Sequence, residues 1–592
     1  MLFSELVEYF ERLEKTTSRI EMTDILVSLF HKTPSETIDK VVYLTLGVVY
    51  PEYVGLELGI ADKLALRALK QVTNITDKQL SEYMAKLGDL GLVAETVITK
   101  KEQMTLFSEP LTVEKVYSLF EKIAKTTGEG SIDLKIQILA GLLAQASPKE
   151  AKHILRIVTG KMRLGVADMT ILDALAILYG GSKDVREHFE RAYNISSDIG
   201  LVAKVAATEG LEGIKKFKIS IGKPIRPMLA ERLASADEIL EKLDGKGMAE
   251  YKYDGERMQI HKSNDKIIIY SRRQENITHQ YPDVVEEVKK QIKAKETILE
   301  CETVAIDVNT GEMLPFQELM HRKRKKEIEK AIEEYPVNMF FFDVLYIDGE
   351  DFTVKPLLER RHALESILQE SEMTRLSKAI LVGDKETLER FFEEAVAAGC
   401  EGVMVKAVGK ESIYRAGARG WLWIKYKRDY KSEMIDTVDL VIVGGFYGRG
   451  KRSGRYGALL LAVYDKTRDT FQTVCKVGSG FTDEDLEKFH QMLESLKLSH
   501  KHARVESIME ADVWFEPKIV IEVIGAEITQ SPVHTCARDK IKKDTGLAIR
   551  FPRYTGRLRT DKKPEDATTA EEIIEMYNRQ LKKITEAEKV SV

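Results

Sequence analysis

The sequence predicts a multidomain protein with an all-α N-terminal domain, an α+β middle domain and a C-terminal β-barrel domain. The chain has 592 residues, more than one hydrophobic core usually holds, so several domains are expected. Apolar residues recur at the spacing of one helix face near the start, at Phe3, Leu6, Phe10 and Leu13. Beyond about residue 427, β-branched runs are separated by glycines, which is typical of a small barrel. The predicted domains are residues 1–216, all helical; residues 217–426, mixed; and residues 427–592, a barrel with a helical tail.

Local patterns predict the individual elements. Ser147, Pro148 and Glu150 form a capping box with proline in the first helical position, which predicts a helix start. Two prolines and a glycine within residues 218–227 indicate a linker. The middle domain alternates strand-like and helix-like runs, and the charged run 321–335 predicts an exposed, salt-bridged helix. In the last third we predict strands over residues 439–446, 458–464, 471–477 and 519–524 and a terminal helix over residues 568–592.

The composition is that of an ordinary globular protein, with 31% charged and 43% hydrophobic residues. No apolar run approaches the roughly 20 residues that span a bilayer, and the acidic, amphipathic start does not resemble a signal peptide. We therefore expect a cytoplasmic protein with no membrane partner. The four cysteines lie far apart, which argues against a zinc ribbon and a disulfide framework. A formal net charge of −5 does not by itself indicate nucleic-acid binding, although residues 415–455 carry ten basic and four acidic side chains.

One lysine organises the motifs of the second half. Lys252 lies two residues after Glu250, two before Asp254 and five before Arg257. Alone, a lysine before Asp-Gly is more typical of a strand that enters a turn. It is followed, however, by further charged and aromatic motifs in residues 271–276, 300–302, 340–343, 401–406, 419–427, 550–553 and 557–564. This order resembles the ATP-dependent DNA ligases of the archaeal and eukaryotic replicative type, members of the nucleotidyltransferase superfamily, over nearly the whole chain.

The resemblance implies a DNA ligase that seals single-strand nicks in replication, recombination and repair. Lys252 takes an adenylyl group from ATP, the AMP passes to the 5′-phosphate of the nick, and the 3′-hydroxyl then displaces AMP. Covalent catalysis of this kind divides one difficult condensation into easier exchanges. Because a free lysine is largely protonated at neutral pH, we expect its pKa to be lowered, with Lys425, Lys427 and a bound Mg²⁺ as the candidate causes.

The resemblance also assigns the nucleotide and metal contacts. Alternation along an apolar strand places Glu300 and Glu302 on one face, where Glu302 is the expected ligand of ribose or metal and Glu300 is left as a structural candidate. Glu302 and Glu401 are expected to hold Mg²⁺, with Mn²⁺ as a substitute, because Mg²⁺ is commonly bound by one or two carboxylates plus phosphate oxygens. The implied nucleotide-binding residues are Glu250, Arg257, Arg272, Glu302, Phe342 stacked on adenine, Arg419, Lys425 and Lys427.

A terminal motif completes the implied ATP site. Arg559, Asp561 and Lys562 occupy the positions that, in the family, swing over ATP and orient the departing pyrophosphate. The resemblance places this motif in an oligonucleotide-binding barrel. That barrel is expected to close for self-adenylylation and to rotate away when DNA binds.

Two further segments resemble partner-binding sites. Lys161, Arg163 and Gly165 match the part of the ligase DNA-binding domain that grips the minor-groove backbone of nicked duplex DNA, although a cationic turn at a helix end is also common on protein surfaces. The segment with Gln103, Leu106 and Phe107 resembles the peptide by which archaeal ligases bind the sliding clamp. Its alternative is that the two apolar residues pack on their own domain. A monomer is expected.

Other functions remain open at this level. An RNA ligase or an mRNA capping guanylyltransferase would share the motifs, but the large helical domain and residues 550–553 favour a DNA ligase. NAD-dependent ligases are disfavoured because the chain lacks their tetracysteine zinc element. A clamp-bound scaffold without catalysis would not need Lys252, Glu302 and Glu401.

Overall fold

A computed structural model of the chain describes residues 1–99, 109–324, 328–427, 437–448, 452 and 455–590. The structure divides into two compact units. The first comprises Met1–Met228 with Ile268–Ile277, and the second comprises Leu229–Ile267 with Thr278–Val592. Among the described residues, every helix is too short or too polar to cross a membrane.

The first unit is built from helices, as the sequence predicts. The capping box is present: the Glu150 amide donates to Ser147 Oγ at 3.4 Å and the Ser147 amide donates to Glu150 Oε2 at 2.8 Å, with Pro148 in the first helical position. Its helices are α1 (Phe3–Glu14), α2 (Arg19–Lys32), α3 (Ile38–Leu46), α4 (Asp62–Val72), α5 (Asp77–Leu87), α6 (Leu90–Thr99), α7 (Val113–Lys125), α8 (Ser131–Gln145), α9 (Pro148–Val158), α10 (Asp168–Gly180), α11 (Arg186–Ser196) and α12 (Ile199–Lys215).

The hydrophobic spacing of α1 buries one face of this helix. Phe3, Leu6, Phe10 and Leu13 are all buried and belong to one core cluster that runs through the unit. The prediction of an all-α N-terminal region is therefore confirmed. Burial of such side chains contributes roughly 1.5–3 kcal/mol each, which is what holds these short helices together.

A buried polar cluster joins α1 to α9. Lys152 Nζ lies 2.7 Å from Glu11 and 2.8 Å from Glu14, and His153 Nε2 is hydrogen-bonded to Glu11 at 2.8 Å. Glu11, Glu14 and His153 bring three potential metal-ligating atoms within 4.8 Å of one another. Because Lys152 and Arg156 pair with both carboxylates, the cluster forms a structural salt-bridge network.

This cluster predicts acid sensitivity of the first unit. Burial lowers the pKa of His153 to about 4, so the stability that comes from its neutral form is present above pH 6.5 and is lost as pH falls toward 4. We expect His153→Gln to flatten the pH dependence of unfolding between pH 4 and 6.5 by up to about 3 kcal/mol. Hydrogen exchange of the α1 and α9 amides measures the free energy of unfolding at each pH. The exposed His31→Gln is the matched control, and an unchanged slope in His153→Gln would contradict the prediction.

The second unit mixes helices and strands. Its helices are α13 (Ala236–Lys242), α14 (Pro282–Gln291), α15 (Phe316–Arg324), α16 (Ile328–Glu334), α17 (Leu357–Ile367), α18 (Lys385–Ala397), α19 (Asp483–Glu494) and α20 (Ala570–Val590). The first eleven strands are β1 (Leu229–Arg232), β2 (Gly247–Lys252), β3 (Glu256–Ser263), β4 (Lys266–Ser271, which begins in this unit and ends in the first), β5 (Glu296–Ala305), β6 (Val337–Ile347), β7 (Glu350–Asp351), β8 (Thr374–Leu376), β9 (Ala379–Val382), β10 (Gly402–Lys406) and β11 (Arg419–Lys427).

Two sheets form the α+β part of this unit. One has the order β1-β11-β10-β2-β9, in which β10 pairs antiparallel with both β2 and β11. The other contains β3-β5-β6-β7, with β8 beside β6. The prediction of an α+β middle region is confirmed. The first sheet brings the end of β2, the start of β10 and the end of β11 side by side, with Gly402 paired to both Lys252 and Lys427, although these strands are far apart in the chain.

The charged run 321–335 differs from its prediction. One helix begins earlier, at Phe316, and another covers Ile328–Glu334. Arg322 is buried rather than exposed, because it donates to the Tyr335 carbonyl at 3.2 Å, pairs with Asp283 and lies 4.8 Å over the Tyr281 ring. The prediction that this run is exposed was thus wrong for Arg322, because the charge pattern does not show its partners Asp283 and Tyr281.

The C-terminal part contains a curled, mainly antiparallel sheet and a separate two-stranded sheet made by β19 and β20. Its strands are β12 (Val438–Tyr447), β13 (Tyr456–Asp465), β14 (Thr470–Val477), β15 (Lys497–Leu498), β16 (Val505–Glu506), β17 (Val513–Phe515), β18 (Val520–Ile524), β19 (Glu527–Ser531), β20 (Gly546–Arg550) and β21 (Arg553–Leu558). Strand β12 pairs with β13 along one edge and with β17 and β18 along the other, and β18 continues to β21. The predicted strands and terminal helix are confirmed, and the sheet is consistent with an oligonucleotide-binding barrel.

Candidate active site

Lys252 is the last residue of β2, where the chain turns into β3. A Cβ added at Gly255 in this turn would lie 2.3 Å from the Thr303 carbonyl oxygen, so only glycine allows the turn to approach β5 so closely. The Glu401 amide donates to the Lys252 carbonyl at 2.9 Å, and Gly402 pairs with Lys252 across the β2–β10 ladder. The register of this ladder therefore places Glu401 beside the lysine.

Charged side chains converge on Lys252. Its Nζ lies 2.5 Å from Glu401 Oε2, and Lys427 Nζ lies 3.7 Å from the same oxygen. Asp254 also forms a hydrogen bond with Glu401. About a quarter of the side chains of Lys252 and Glu401 is exposed, at 24% and 27%, so a ligand can reach both from solvent.

Three carboxylates, those of Asp254, Glu302 and Glu401, act on one another at one side of this site. Shielding from water, together with the charges of Glu401 and Asp254, raises the pKa of Glu302 to about 7 despite Lys252 and Arg257 nearby. Burial and the Glu401 charge likewise raise the pKa of Asp254. Burial also acts to raise the pKa of Glu401, but Lys252 and Lys427 outweigh it and hold this pKa below its ordinary value. A divalent cation would relieve the repulsion among these three carboxylates.

The donor set fits Mg²⁺. Glu302 and Glu401 supply carboxylate oxygens, which are the ligands that this ion prefers, and an ion held by two side chains keeps room for phosphate oxygens and water. Burial is the main cause of the raised pKa of Glu302, and a bound cation would favour the charged form of this carboxylate. The assignment of Glu302 and Glu401 as metal ligands stays a prediction.

Lys425 and Lys427 lie two residues apart on β11, which pairs with β10. Burial first, and then the charges of Lys427 and Lys252, lower the pKa of Lys425. A group of cations that repel one another in this way is suited to a polyphosphate, whose negative charge relieves the repulsion.

Arg257 is held from behind by a carboxylate and a phenol. Its NH2 atom donates to Glu300 Oε2 at 2.8 Å and to Tyr414 Oη at 3.2 Å, and Tyr414 donates to the same Glu300 oxygen at 2.9 Å. Glu300 is only 1% exposed. Glu300 therefore orients Arg257, a role that the sequence alone left open.

An aromatic cleft lies next to this pair. Phe342 faces Trp423 edge-on at 6.1 Å, and Lys406 Nζ lies 4.9 Å and 4.5 Å from the centres of these two rings. Arg257 lies 5.4 Å from both rings. The half-buried Phe342 ring is the one that a flat base can reach, whereas Phe340 stacks on Tyr253 at 3.9 Å.

A β-bulge aims Phe342 into this cleft. Glu300 pairs with Asp343 and Cys301 pairs with Phe341, so Phe342 is the extra residue on β6. Lys406 and Trp423 were given no role by the sequence, although both lie inside motifs that it identified. Their place in the cleft depends on the β10–β11 register, which joins Lys406 to Trp423.

Glu250 lies at the polar side of the cleft. Its Oε1 is 2.5 Å from Lys406 Nζ, and Arg361 NH1 donates to its Oε2 at 3.3 Å. Glu250 and Lys406 are both buried, at 3% and 1% exposure, so this ion pair is shielded from solvent. The pair gives the cleft a fixed donor and acceptor edge, as recognition of a base requires.

Three groups of predicted site residues remain, and of these the charge of Arg419 acts on Lys425, whose pKa it helps to lower. Arg419 is exposed at the start of β11, and Arg272 is exposed in the segment that belongs to the first unit. Arg559, Asp561 and Lys562 pair with one another or with Asp439 of the barrel. The nucleotide contacts expected of these residues stay predictions.

The predicted DNA-contact segment forms a turn after α9. Lys161 Nζ lies 2.7 Å from Asp62, Arg163 Nε lies 3.0 Å from Asp89, and both side chains are about half exposed, at 54% and 55%. Arg163 and Gly165 adopt left-handed backbone conformations, with φ of 57° and 69°. Their contact with DNA stays a prediction. Gln103, Leu106 and Phe107 lie outside the described residues.

Comparisons with known proteins identify the family of the chain. Family models match at residues 2–176 (DNA ligase N terminus), 227–427 (ATP dependent DNA ligase domain) and 452–562 (ATP dependent DNA ligase C terminal region). The chain is 58% identical to "DNA ligase 2" of Thermofilum pendens, with 98% of each chain covered. It is 55% identical to a DNA ligase of Staphylothermus marinus, covering 99% of this chain and 100% of the relative, and 52% identical to one of Saccharolobus solfataricus, covering 99% of both. Lys252 thus ends a strand beside carboxylates in a chain that closely resembles these enzymes over its whole length. The chain belongs to the ATP-dependent DNA ligase family.

Proposed function

We propose that this DNA ligase seals nicks in duplex DNA through an adenylate on Lys252, in replication, recombination and repair. The observation that carries the proposal is the contact of Lys252 with Glu401, next to Lys427 and Glu302. Lys252 Nζ forms a bond to the α-phosphorus of ATP while the α–β bridging P–O bond breaks and pyrophosphate leaves. The AMP then moves to the 5′-phosphate, and the 3′-hydroxyl displaces it.

The side chains divide this work between them. Lys252 must lose a proton before it attacks, and Glu401 is the carboxylate in hydrogen-bonding contact with its Nζ. Phe342 contacts the adenine, and the Glu250–Lys406 pair lines the edge of the cleft. Lys425 and Lys427 neutralise the α-phosphate, and Arg257, oriented by Glu300, contacts the sugar or phosphate. Fixed charges of this kind favour a phosphoryl group whose charge shifts during transfer.

Glu302 and Glu401 would hold Mg²⁺, with Mn²⁺ as a substitute. When bound, the ion neutralises phosphate charge and makes pyrophosphate a better leaving group. The pKa of about 7 for Glu302 supports this assignment, because a carboxylate in that state gains most from a nearby cation.

The proposal includes three domains and two partners. Residues 1–216 bind nicked duplex DNA through Lys161, Arg163 and Gly165, residues 217–426 transfer the adenylyl group, and residues 427–592 form the mobile barrel. The exposed left-handed turn at Arg163 supports the DNA contact, since it presents cations and backbone amides together. The chain acts as a monomer that a sliding clamp recruits through Gln103, Leu106 and Phe107.

A labelled-nucleotide experiment tests the function. The purified protein is incubated with α-labelled ATP and Mg²⁺, run on a denaturing gel, and then chased with nicked duplex DNA. We expect label on the protein that is lost as sealed DNA appears. Label that is discharged only by nicked RNA would indicate an RNA ligase, and absence of label would refute covalent catalysis.

Loss of the terminal-motif arginine should separate two steps of the reaction. We expect Arg559→Ala to slow self-adenylylation by at least about tenfold, because a charge-assisted contact to the pyrophosphate is lost. Sealing of a pre-adenylylated nick should change much less, since no pyrophosphate is present. Single-turnover rates of both steps measure this split. Arg557→Ala, whose side chain is 63% exposed, is the matched control, and an equal loss in both steps would refute the role.

Loss of two side chains from the predicted clamp-binding segment should weaken binding to the clamp and nothing else. We expect Gln103→Ala with Phe107→Ala to weaken binding to the sliding clamp by at least about tenfold, because one anchor and one polar contact are lost. Nick sealing without the clamp should be unchanged. Surface plasmon resonance on immobilised clamp measures the affinity, with Glu102→Ala as the control. Unchanged clamp affinity would show that the anchors pack elsewhere.

A further inference from the structure

Asp439 holds both cations of the terminal motif. Its Oδ2 atom lies 2.7 Å from Arg559 NH1 and 2.7 Å from Lys562 Nζ. Asp439 is on β12, and Arg559 follows β21 and is anchored by its amide to the Val520 carbonyl at 2.9 Å. The side chains of Asp439 and Arg559 are only 12% and 13% exposed, so this contact is partly shielded from solvent. One carboxylate oxygen thus serves two cations.

The other two guanidinium nitrogens of Arg559 are also engaged. Nε donates to Asp561 Oδ1 at 2.9 Å and NH2 donates to Asp561 Oδ2 at 2.6 Å, a bidentate pair. Asp439 and Asp561 together balance the two positive charges of Arg559 and Lys562. In this arrangement the motif is electrically satisfied within the barrel itself.

The barrel contacts the nucleotide-binding part of the unit through other residues. Lys476 donates to the Thr310 carbonyl at 2.9 Å, and Lys542 pairs with Glu393 of α18. The terminal-motif cations have Asp439 and Asp561 as their charged partners. Because Asp439 and the ATP phosphates bind the same two positive charges, engagement of the phosphates by Arg559 and Lys562 weakens or replaces the bonds to Asp439.

We propose that Asp439 is a positioning residue that competes with the β- and γ-phosphates of ATP for Arg559 and Lys562. This inference rests on the proposed function, in which these two cations orient pyrophosphate. Asp439 retains the cations while the barrel is away from the nucleotide, and the more highly charged polyphosphate displaces it when the barrel closes. Asp439 thereby favours the arrangement used after adenylylation and opposes re-binding of the released pyrophosphate.

The site allows a clean substitution. The Asp439 amide donates to Thr568 Oγ1 at 3.0 Å, and its carbonyl accepts from the Thr568 amide at 2.9 Å, so the backbone stays anchored whatever the side chain. Asp439→Asn keeps the size of the side chain and removes its charge. Asp439→Glu keeps the charge and should restore the competition. Glu522→Gln on β18, which pairs with Arg557 rather than Arg559, is the matched control.

Two measurements on the full chain test the proposal. The first is binding of inorganic pyrophosphate by calorimetry, and the second is the KM for ATP and kcat of self-adenylylation. We expect Asp439→Asn to bind pyrophosphate more tightly and to lower the KM for ATP, each by about threefold to tenfold, as loss of two partly exposed ion pairs implies. Sealing of a pre-adenylylated nick by the variant should become more sensitive to inhibition by added pyrophosphate.

The outcomes separate this proposal from the proposed function. A higher KM for ATP or weaker pyrophosphate binding in Asp439→Asn would overturn it, because Asp439 would then present the cations to ATP. Equal values in Asp439→Asn and the parent protein would also overturn it. If the parent formed no adenylate but Asp439→Asn still bound pyrophosphate more tightly, the proposed function would fail while the competition would stand.

Discussion

Lys252→Ala is expected to abolish adenylate formation, with a loss greater than about a thousandfold, as removal of a nucleophile usually produces. The reason is chemical, since Lys252 Nζ is the atom that must bond to the α-phosphorus. The protein should fold normally, because this side chain is 24% exposed and lies at a strand end rather than in the core. Labelling with α-labelled ATP measures the effect.

Two variants separate chemistry from charge in this prediction. Lys252→Arg keeps the ion pair with Glu401 but offers a guanidinium that does not lose its proton, so it should be as inactive as Lys252→Ala. Lys266→Ala, at an exposed lysine, should label normally. Both Lys252 variants should retain part of their activity in sealing a pre-adenylylated nick. Label on Lys252→Ala would disprove the assignment of the nucleophile.

Asp343→Ala is expected to destabilise the second unit by about 3–5 kcal/mol, because it leaves a buried guanidinium without its counter-charge. Asp343 and Arg360 are both fully buried and form a two-point pair, with Nε to Oδ1 at 2.7 Å and NH2 to Oδ2 at 3.0 Å. Arg360 NH1 also donates to the carbonyls of Lys355 and Ser412 at 2.7 and 2.8 Å. The pair thus ties β6 to α17 and to the loop that carries Tyr414.

Urea unfolding followed by tryptophan fluorescence measures this cost, since Trp421 and Trp423 lie in the same part of the unit. Glu350→Ala removes the exposed pair with Lys355 and should change stability by less than about 1 kcal/mol. Replacing both partners, Asp343→Leu with Arg360→Met, should cost less than Asp343→Ala, because no charge is stranded. A cost below about 1 kcal/mol for Asp343→Ala would show that water reaches Arg360.

Patterns within one segment predicted much of the fold. The helical spacing of Phe3, Leu6 and Phe10 is confirmed by their burial, and the capping box at Ser147 is present as expected. The prediction that Arg322 is exposed was wrong for a physical reason. A charged side chain is assigned to the surface unless its partners are known, and its partner Asp283 lies 39 residues earlier in the chain.

The candidate site likewise has residues that the sequence predicted and roles that only the structure showed. The resemblance that the motifs carry identified Lys252, Glu302 and Glu401, and the structure brings these three together. Nothing local indicated that Glu300 would orient Arg257 or that Lys406 would pair with Glu250. Both depend on strand register, which is set by packing across whole sheets.

By itself, the sequence determined the order of elements, the buried faces of helices and the chemical type of each motif, because these depend on residues close along the chain. The tertiary structure alone decided which of them meet. Lys252 and Glu401 are 149 residues apart, Glu250 and Lys406 are 156 apart, and Asp439 and Arg559 are 120 apart. The first two pairs join the neighbouring strands β2 and β10, and the third joins β12 to the segment after β21 across the intervening strand β18. Pairing of distant strands is a cooperative outcome of sheet topology and core packing that no local pattern encodes.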